Sequence, residues 1–395
     1  MTPPSVANPP RPYIVFGKPD IRQPEIDEVL DSLRSGWLGT GPKVERFERA
    51  IAQYLGVEQA VAANSCTAAL HLALLALGIG PGDEVIVPTL TFCATANVVV
   101  HVGARPVLVD VDRASQCLTA DAVEAAITPR TKAVIPVHFA GWPANLPSLR
   151  SLANRHGLKI IQDAAHCLEG LIDGVPPSRY GDVTCLSFYV TKNVVTGEGG
   201  MAVTNDRTVA DRMRVLGLHG IDADAWKRFS SAGYRHYSCV VPGFKYNMMD
   251  LQAALGIHQL ARVDANLRLR EAQWARYQDA LQCLPLVLPA NPSAAVVHAR
   301  HLYTVRVRPD APVRRDTLMS DLHKRGVGAG VHYVPLHEHP YYQQLLQVQN
   351  GAYPVASAIG RETCSLPLGP GLRDDEQTRV IAAVHEVLRG VASVS

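Results

Sequence analysis

The chain has 395 residues, of which 47% are hydrophobic and 19% are charged, and its formal net charge is +2. This length is sufficient for one large and one small domain, and the composition is that of an α/β enzyme that folds in water. A charge balance this close to neutral provides no general attraction to nucleic acid or to a membrane surface, so neither partner is expected.

Eight cysteines are spread along the chain without a CxxC pair, which argues against a zinc knuckle and a thioredoxin-like motif. Cys185 and Cys364 lie inside apolar runs typical of strands, so we expect buried, reduced thiols in a cytoplasmic protein. The opening segment, MTPPSVANPPRPY, contains neither the basic start nor the apolar run of a secretory signal. Its prolines predict an extended arm over residues 1–12.

Helical periodicity begins at residues 22–35, with Ile26, Leu30 and Leu33, and continues at residues 43–55 after a glycine-rich loop. From about residue 60 to 205, short β-type runs alternate with helical segments, one of which has Thr119 as its expected N-cap. The predicted strands are Gln59–Ala63, Glu84–Pro88, Arg105–Val109, Ala133–His138, Lys159–Gln162, Val183–Phe188 and Gly200–Thr204. This alternation predicts an α/β fold with a mostly parallel central sheet flanked by helices.

Residues 251–281 form a long, charged, periodic segment, which predicts one helix joining two domains. Beyond it, HLYTVRV and GAGVHYV are typical of strands, whereas RRDTLMSDLHKRG and DDEQTRVIAAVHEVL have helical spacing. We therefore expect a large domain over residues 13–250. The linking helix and a smaller α+β domain are expected over residues 251–395.

Asp163 and Lys192 each follow an apolar, strand-like run, at the end of a strand where α/β proteins bind ligands. Pyridoxal phosphate requires an amine that holds its aldehyde as a Schiff base and a carboxylate that keeps its ring nitrogen protonated. A lysine between an apolar strand and the glycine turn TGEGG is expected to be partly desolvated, which lowers its pKa. Taken singly, an aspartate that caps the next helix is an equal explanation for Asp163, whereas the position of Lys192 between a strand and a glycine turn makes an ordinary surface lysine less favoured.

Other candidate ligand-binding residues also lie near the ends of predicted strands or at the start of a predicted helix. In NSCTAAL, the start of a helix offers free backbone amides beside Thr67 and Ala68, which suits a phosphate. An ordinary Ser/Thr N-cap explains that motif better when it is taken alone. Phe92 follows the strand EVIVP and could stack on a flat ring, although a core phenylalanine is an equal alternative. His166 could lie over a ring face, and Ser187 could reach a phosphate from the strand before Lys192.

The order of these segments resembles the DegT-type family of sugar aminotransferases (DegT/DnrJ/StrS), which have the fold-type I architecture of pyridoxal-phosphate enzymes. The resemblance extends from SGWLGTGPKVERFE to CSLPLGPGL and includes SCTAALHLALLALGIGPGDEVIVP, DAAH, SFYVTKNVVTGEGGM and GVHYVPLH. It implies that Lys192 holds the cofactor and moves protons, and that Asp163 contacts the ring nitrogen. It also implies that the ring lies between Phe92 and His166.

For the phosphate, the resemblance implies contacts from Thr67, Ala68 and Ser187. Many members have GYNYR where this chain has GFKYN, and that segment reaches the phosphate of the neighbouring subunit of a homodimer with shared active sites. Either Lys245 or Asn247 would make this contact. His332, in GVHY, matches a position near the sugar.

The reaction implied by the resemblance is transfer of an amino group from L-glutamate to a nucleotide-linked ketosugar, of the 4-keto-6-deoxy type. One relative has histidine in place of the lysine and dehydrates its sugar, so Lys192 favours transamination here. Other enzymes of this family, acting on cyclitols or amino-benzoate precursors or as dehydratases, are alternatives. A regulator that binds the cofactor without catalysis is less favoured, because no basic helix-turn-helix-like extension is visible.

Two further stretches contain polar side chains. Lys227, Arg228 and Arg235 lie in a basic, aromatic stretch and could contact the substrate diphosphate, although a solvated loop explains them equally well. HYVPLHEHP contains three histidines, but their spacing matches no fixed set of metal ligands, so no metal site is predicted. GIGPGD follows a helix and precedes a strand, the reverse of the context of a dinucleotide-binding loop, which excludes a Rossmann dehydrogenase.

Overall fold

The computed structural model describes residues 12–221, 237–349 and 351–389. The predicted diphosphate contacts Lys227, Arg228 and Arg235 lie outside these residues, as does nearly all of the predicted arm. Within the described part of the chain, no helix is both long and apolar enough to cross a membrane.

A seven-stranded sheet forms the centre of the fold, as predicted. The strands are β1 Gln59–Ala63, β2 Glu84–Pro88, β3 Arg105–Val109, β4 Thr131–Val134, β5 Lys159–Asp163, β6 Leu171–Ile172, β7 Val183–Ser187, β8 Gly200–Thr204, β9 Leu286–Val287, β10 Val296–Val297, β11 Tyr303–Val307 and β12 Thr363–Leu366. The central sheet has the order β1-β8-β7-β5-β4-β2-β3, in which β8 runs antiparallel to both neighbours and the other pairs are parallel. Strands β2 and β8 are buried along their whole length, because helices cover both faces.

Helices pack on this sheet and on a second, smaller sheet. They are α1 Gln23–Ser35, α2 Pro42–Leu55, α3 Cys66–Ala76, α4 Ala94–His101, α5 Ala120–Glu124, α6 Leu146–His156, α7 Arg207–Gly217, α8 Asp250–Ala261, α9 Val263–Leu281, α10 Arg315–Lys324, α11 Pro340–Leu346, α12 Pro354–Glu362 and α13 Asp374–Arg389. Thr119 caps α5, as predicted, because its side chain accepts a hydrogen bond from the backbone N–H of Ala122.

The prediction of one continuous helix over residues 251–281 is wrong. The helix is interrupted at Arg262, whose φ of −119° is outside the helical range, and this residue separates α8 from α9. The two halves pack in different cores. Ile257 of α8 lies in the cluster around Phe47, whereas Tyr277 of α9 lies in the cluster of the smaller sheet.

Two predicted strands also differ from the structure. Strand β4 ends at Val134, short of the predicted His138, although Val137 still forms an isolated bridge to Asp163 before the short helical turn at Phe139. The segment GAGVHYV is not a strand, and only Gly330 pairs with a neighbouring strand residue, Ser365. Beyond Gly330, the hydroxyl of Tyr333 lies 3.0 Å from Nε2 of His166, which follows β5 of the large sheet.

The smaller sheet is antiparallel, in the order β12-β11-β9. Side chains from α9, α10 and α13 pack on it and form a separate apolar cluster with Ile14. This arrangement is of the α+β type expected for the C-terminal part of the chain. The boundaries 13–250 and 251–395 stay predictions.

Helix α1 presents its apolar side chains to solvent. Ile26 is 44% exposed and Leu33 is 53% exposed, and Leu30 between them is also exposed. Its buried positions are instead Glu25 and Ser32. We call Ile26, Leu30 and Leu33 the α1 stripe.

The buried side of α1 is held by polar contacts. Glu25 forms an ion pair with Arg262 and accepts a hydrogen bond of 3.0 Å from the side-chain amide of Gln259. These contacts satisfy a carboxylate that is otherwise removed from water. They therefore determine which side of the helix faces the protein.

Candidate active site

Asp163 and Lys192 lie at the same edge of the central sheet. Asp163 is the last residue of β5, and Lys192 follows β7, the parallel neighbour of β5. Because the carboxyl ends of parallel strands meet at one edge of a sheet, the topology brings the two side chains together. They are close enough for each charge to shift the pKa of the other group.

The carboxylate of Asp163 is buried, with only 6% of the residue exposed. The hydroxyl of Thr95 donates a hydrogen bond of 2.8 Å to its Oδ2, and the backbone N–H of Ala165 donates one of 3.1 Å to its Oδ1. Burial raises the pKa of Asp163, and the two hydrogen bonds and the charge of Lys192 oppose this rise. A buried carboxylate is stabilised by a cation, and a protonated pyridine nitrogen would supply one.

Lys192 is a partly desolvated amine. Burial lowers its pKa from 10.5 to about 8, although the carboxylate of Asp163 opposes this effect. Near physiological pH a substantial fraction of such an amine is neutral, which is the form that condenses with an aldehyde. Lys192 therefore fits the role of the residue that binds the cofactor covalently.

Three histidines, His166, His301 and His332, lie near this amine. Burial lowers the pKa of each, and the charge of Lys192 lowers it further, so that the pKa of His332 falls to about 4. All three imidazoles are therefore neutral at physiological pH. Neutral imidazoles act as hydrogen-bond donors and acceptors without repelling the ammonium form of Lys192.

The hydrogen bonds of His166 determine its tautomer. The backbone N–H of Ala140 donates to Nδ1 over 3.2 Å, so the proton of the neutral ring must be on Nε2. Nε2 then donates over 3.0 Å to the hydroxyl oxygen of Tyr333. The hydroxyl proton of Tyr333 is left for another acceptor, so Tyr333 belongs to the site, although the sequence analysis did not select it.

Phe92 and Tyr333 form an aromatic wall at the open side of the site. Their ring centroids are 5.9 Å apart, and the centroid of Tyr333 is 6.1 Å from that of His166. Phe92 is 57% exposed, which is unusual for a phenylalanine and leaves a ring face open. The position of a cofactor ring between Phe92 and His166 stays a prediction.

The first turn of α3 lies against β8, beside the end of β7. A Cβ atom added to Gly200 would lie 2.3 Å from the backbone nitrogen of Cys66, so only glycine permits this contact. Gly200 pairs directly with Ser187, which brings that hydroxyl to the same region as Thr67 and Ala68. These residues form a compact group of donors that fits a phosphate, although the N–H of Ala68 is already bonded to the Ser65 hydroxyl at 3.0 Å.

The remaining predicted contacts have different environments. The ammonium of Lys245 is exposed and has no hydrogen-bond partner among the described residues. The amide of Asn247 donates to the Thr40 hydroxyl over 2.7 Å in the same chain. The Nδ1 atom of His332 lies 2.8 Å from the hydroxyl of Ser365, at the rim between the two sheets.

Some residues of the site had no signal in the sequence analysis. Thr95 and Tyr333 lie inside the segments TLTFCATAN and GVHY, so their neighbours were recognised and they were not. A further group connects the site to α9 through buried hydrogen bonds and an ion pair, and it consists of Glu169, Asn193, Arg270 and His301. These residues are far apart in sequence and match no local motif.

The histidines of HYVPLHEHP are hydrogen-bonded to the protein. His337, for example, contacts the hydroxyls of Thr89 and Ser357 at 2.7 and 2.8 Å. Among the residues that the structure describes, no group of three or more His, Cys, Asp or Glu is arranged to hold a metal ion.

Comparison with known proteins identifies relatives along nearly the whole chain. The sequence profile of the DegT/DnrJ/EryC1/StrS aminotransferase family matches residues 19–385. The spore coat polysaccharide biosynthesis protein SpsC of Bacillus subtilis (strain 168) is 45% identical over 380 residues, covering 96% of this chain and 98% of SpsC.

Solved structures show the same relationship. Spr1654 from Streptococcus pneumoniae, assigned as a sugar aminotransferase, is 35% identical in its PMP form, with a TM-score of 0.89 over 96% of this chain and 100% of that chain. Its PLP form is 34% identical, with a TM-score of 0.88 over the same shares. DesV from S. venezuelae is 37% identical, with a TM-score of 0.83 over 93% of this chain and 95% of that chain.

The residues present fit pyridoxal phosphate. The lowered pKa of Lys192, the buried carboxylate of Asp163 and the close approach of α3 to Gly200 each match a different part of that group. The chain therefore belongs to the DegT/DnrJ/EryC1/StrS aminotransferase family, and it is a pyridoxal-phosphate-dependent transaminase with the fold-type I architecture.

Proposed function

We propose that this transaminase transfers the amino group of L-glutamate to the keto carbon of a nucleotide-linked 4-keto-6-deoxy sugar. The product would be an amino sugar for a surface polysaccharide or a secondary metabolite. Support comes from the names of SpsC, a polysaccharide biosynthesis protein, and of Spr1654, a sugar aminotransferase. The observation that carries the transfer chemistry is the amine of Lys192, with a pKa of about 8, beside the buried carboxylate of Asp163.

When bound, pyridoxal phosphate supplies an aldehyde that accepts an amino group and a protonated ring that accepts electrons from the adjacent carbon. Asp163 would keep the proton on the ring nitrogen, because a cation there relieves the cost of burying its carboxylate. Lys192 would carry the proton between the carbon of the substrate that holds the nitrogen and the carbon of the cofactor that exchanges the proton with it. Its pKa suits this role, because it lies near the working pH.

The two substrates would use this site in turn. L-glutamate would leave its amino group on the cofactor and depart as 2-oxoglutarate before the ketosugar enters. Because the first product would depart before the second substrate binds, the steady-state kinetics should be of the ping-pong type, with Lys192 moving the proton in both half-reactions.

The α1 stripe supports a homodimer as part of the proposal. Three large apolar side chains at helical spacing are exposed on one helix, and an exposed apolar face of this kind is typical of an interface. Trp37, which is 51% exposed, and Leu38, which is 44% exposed, extend this apolar surface beyond the helix end. A second copy of the chain would cover it.

Lys245 is the better candidate for the contact with the neighbouring subunit's phosphate. Its ammonium is exposed, whereas the amide of Asn247 is already hydrogen-bonded to Thr40. A cytoplasmic location also remains part of the proposal. The buried free thiols of Cys185 and Cys364 are consistent with a reducing compartment.

Incubation with L-glutamate and a panel of ketones tests the substrate. The panel should contain nucleotide-linked 4-keto-6-deoxy sugars, nucleotide-linked 3-keto sugars and a keto-cyclitol, with 2-oxoglutarate release as the readout. We expect release with a nucleotide-linked 4-keto sugar and none with Lys192→Ala. Release with the cyclitol alone, or loss of water from the sugar without release, would contradict the proposal.

Mixing two inactive variants tests the shared site. Lys192→Ala and Lys245→Ala each remove one half of every site, but a mixed dimer would contain one intact site. Random exchange should restore about a quarter of the wild-type activity, because half of the dimers are mixed and each has one working site. Absence of any recovery, when mixed dimers are demonstrated, would rule out a shared site of this composition.

The oligomeric state tests the α1 stripe directly. Replacing Ile26 and Leu33 by glutamine should convert the dimer to a monomer in analytical ultracentrifugation. The matched control replaces Leu269 and Leu345, which are similarly exposed at 47% and 43% on other surfaces. That control should remain dimeric, and a stripe variant that also remains dimeric would show that the interface lies elsewhere.

A further inference from the structure

Asn193 directly follows Lys192 and connects the active site to a buried ion pair. Its side-chain nitrogen donates to Oε2 of Glu169 over 2.8 Å and to the backbone oxygen of Ala299 over 3.1 Å. The other carboxylate oxygen of Glu169 is paired with Arg270 of α9. Glu169 and Arg270 are 4% and 2% exposed, so this pair is shielded from water.

These contacts determine the orientation of the Asn193 amide. Neither the carboxylate of Glu169 nor the carbonyl of Ala299 can donate a hydrogen bond, so both must face the NH₂ group. Rotating the amide by half a turn would place its oxygen against two acceptors. The amide oxygen therefore faces the third neighbour, Nδ1 of His301, at 3.0 Å.

The orientation of Asn193 in turn determines the tautomer of His301. An amide oxygen only accepts, so Nδ1 of His301 must carry the ring proton. His301 is buried and neutral, because burial and the charge of Lys192 hold its pKa well below the ordinary value. Its Nε2 atom therefore has a lone pair, and no described residue donates a hydrogen bond to it.

His301 lies against His166, with 4.5 Å between the ring centroids and 32° between the ring planes. The two rings are opposite tautomers, since His166 carries its proton on Nε2 and His301 carries its proton on Nδ1. Both nitrogens of His166 and the Nδ1 atom of His301 are hydrogen-bonded to the protein. The pair presents a neutral surface beside Lys192 that includes one uncommitted acceptor.

We propose that Asn193 is a positioning residue that holds His301 as its Nδ1–H tautomer, so that Nε2 accepts a hydrogen bond from an N–H or O–H group of the bound ligand beside Lys192. The Glu169–Arg270 pair anchors this arrangement to α9. The inference concerns the transaminase site itself and does not depend on which keto substrate the enzyme uses. Ligands that offer a donor at this position would bind more tightly than analogues that lack it.

Nuclear magnetic resonance of the full-length protein, labelled with ¹⁵N in its histidines, tests the tautomer. Two-bond ¹H–¹⁵N spectra distinguish a protonated from an unprotonated ring nitrogen, and His301→Gln identifies the signals. Spectra of the cofactor-free and the cofactor-loaded protein should both show Nδ1–H for His301. An Nε2–H tautomer in the wild-type protein would overturn the proposal.

Two substitutions at Asn193 test its role. Asn193→Leu removes the acceptor, so the Nδ1–H preference should be lost and kcat/KM should fall about ten- to hundredfold. Asn193→Asp keeps an oxygen toward His301 but places its other oxygen against the carboxylate of Glu169 and the carbonyl of Ala299. The new carboxyl group should therefore bind a proton and donate it to Glu169, so the Nδ1–H tautomer of His301 should be retained. An unchanged tautomer in the leucine variant, or loss of the Nδ1–H tautomer in the aspartate variant, would refute the positioning role.

Other charges also act on His301 and remain constant in this comparison. The ionisable groups that face it are Lys192, His166, His298, His332, Arg270 and, through Asn193, Glu169. The matched control is Asn97→Leu, which removes the acceptor of a hydrogen bond from Tyr342 on the side of α4 away from Asp163. This variant should leave the tautomer of His301 as it is in the wild type. A change as large as that in the Asn193 variants would mean that the effect is general.

Discussion

The protein is expected to become more stable when Lys192 is replaced by methionine. In the cofactor-free protein, burial lowers the pKa of Lys192 from 10.5 to about 8. Each pH unit corresponds to about 1.36 kcal/mol, so holding the ammonium in the folded state costs about 3 kcal/mol at neutral pH. The side chain keeps some contact with solvent, which screens the charge, so we expect Lys192→Met to gain about 2 to 3 kcal/mol.

The gain should depend on pH in a defined direction. Below pH 8 both the folded and the unfolded wild-type chain hold the proton, so the folded state bears the full cost. Between pH 8 and pH 10.5 the folded protein releases its proton while the unfolded chain retains it, so the wild type becomes more stable as the pH rises. The advantage of the methionine variant should therefore be largest at pH 7 and should be nearly lost by pH 10.5.

Urea denaturation of the cofactor-free protein at pH 7, 9 and 10.5 measures this difference. The matched control is Lys132→Met, because Lys132 is exposed on the same sheet and should show a difference within about 0.5 kcal/mol at every pH. A methionine variant at position 192 that is no more stable than the wild type at pH 7 would refute the reasoning. So would a gain that stays constant across the three pH values.

Three further substitutions test the site. Asp163→Asn should lower kcat by about a hundredfold or more, since it removes the charge that we propose keeps the ring nitrogen protonated, and steady-state kinetics with L-glutamate would measure this. Tyr333→Phe removes the acceptor for His166 and should lower the free energy of unfolding by about 1 to 3 kcal/mol in urea. Gly200→Ala should destabilise the protein by about 1 to 3 kcal/mol, because the added methyl group would overlap the start of α3. The control Gly39→Ala has open space around it and should not destabilise the protein. Equal melting temperatures for these two variants would contradict the close approach at α3.

Local patterns were sufficient to predict the elements that hold the reactive groups. Strands β1, β2, β3 and β8 have the predicted limits, because each is a short apolar run bounded by turn residues. The alternation of strands and helices then places the ends of β5 and β7 at one edge, which brings Asp163 and Lys192 together. Both residues follow apolar runs, so a single segment of sequence is enough to suggest each of them.

The orientation of α1 was not predictable in this way. The spacing of Ile26, Leu30 and Leu33 correctly predicts a helix, but periodicity does not show what the apolar side faces. In the structure this side faces solvent, because the ion pair between Glu25 and Arg262 holds the opposite side against α8. Arg262 is more than two hundred positions away and is itself the residue that divides the predicted long helix.

The same distinction applies to the active site. Its lysine and aspartate are determined by short segments, whereas Tyr333, His301, Asn193 and the Glu169–Arg270 pair are joined only by hydrogen bonds and charges across the fold. A hydrogen bond depends on the distance and direction between two atoms, and neither is encoded in the spacing of residues along the chain. The sequence alone therefore determines which chemistry the protein performs, and the tertiary structure decides the protonation state and orientation of the groups around it.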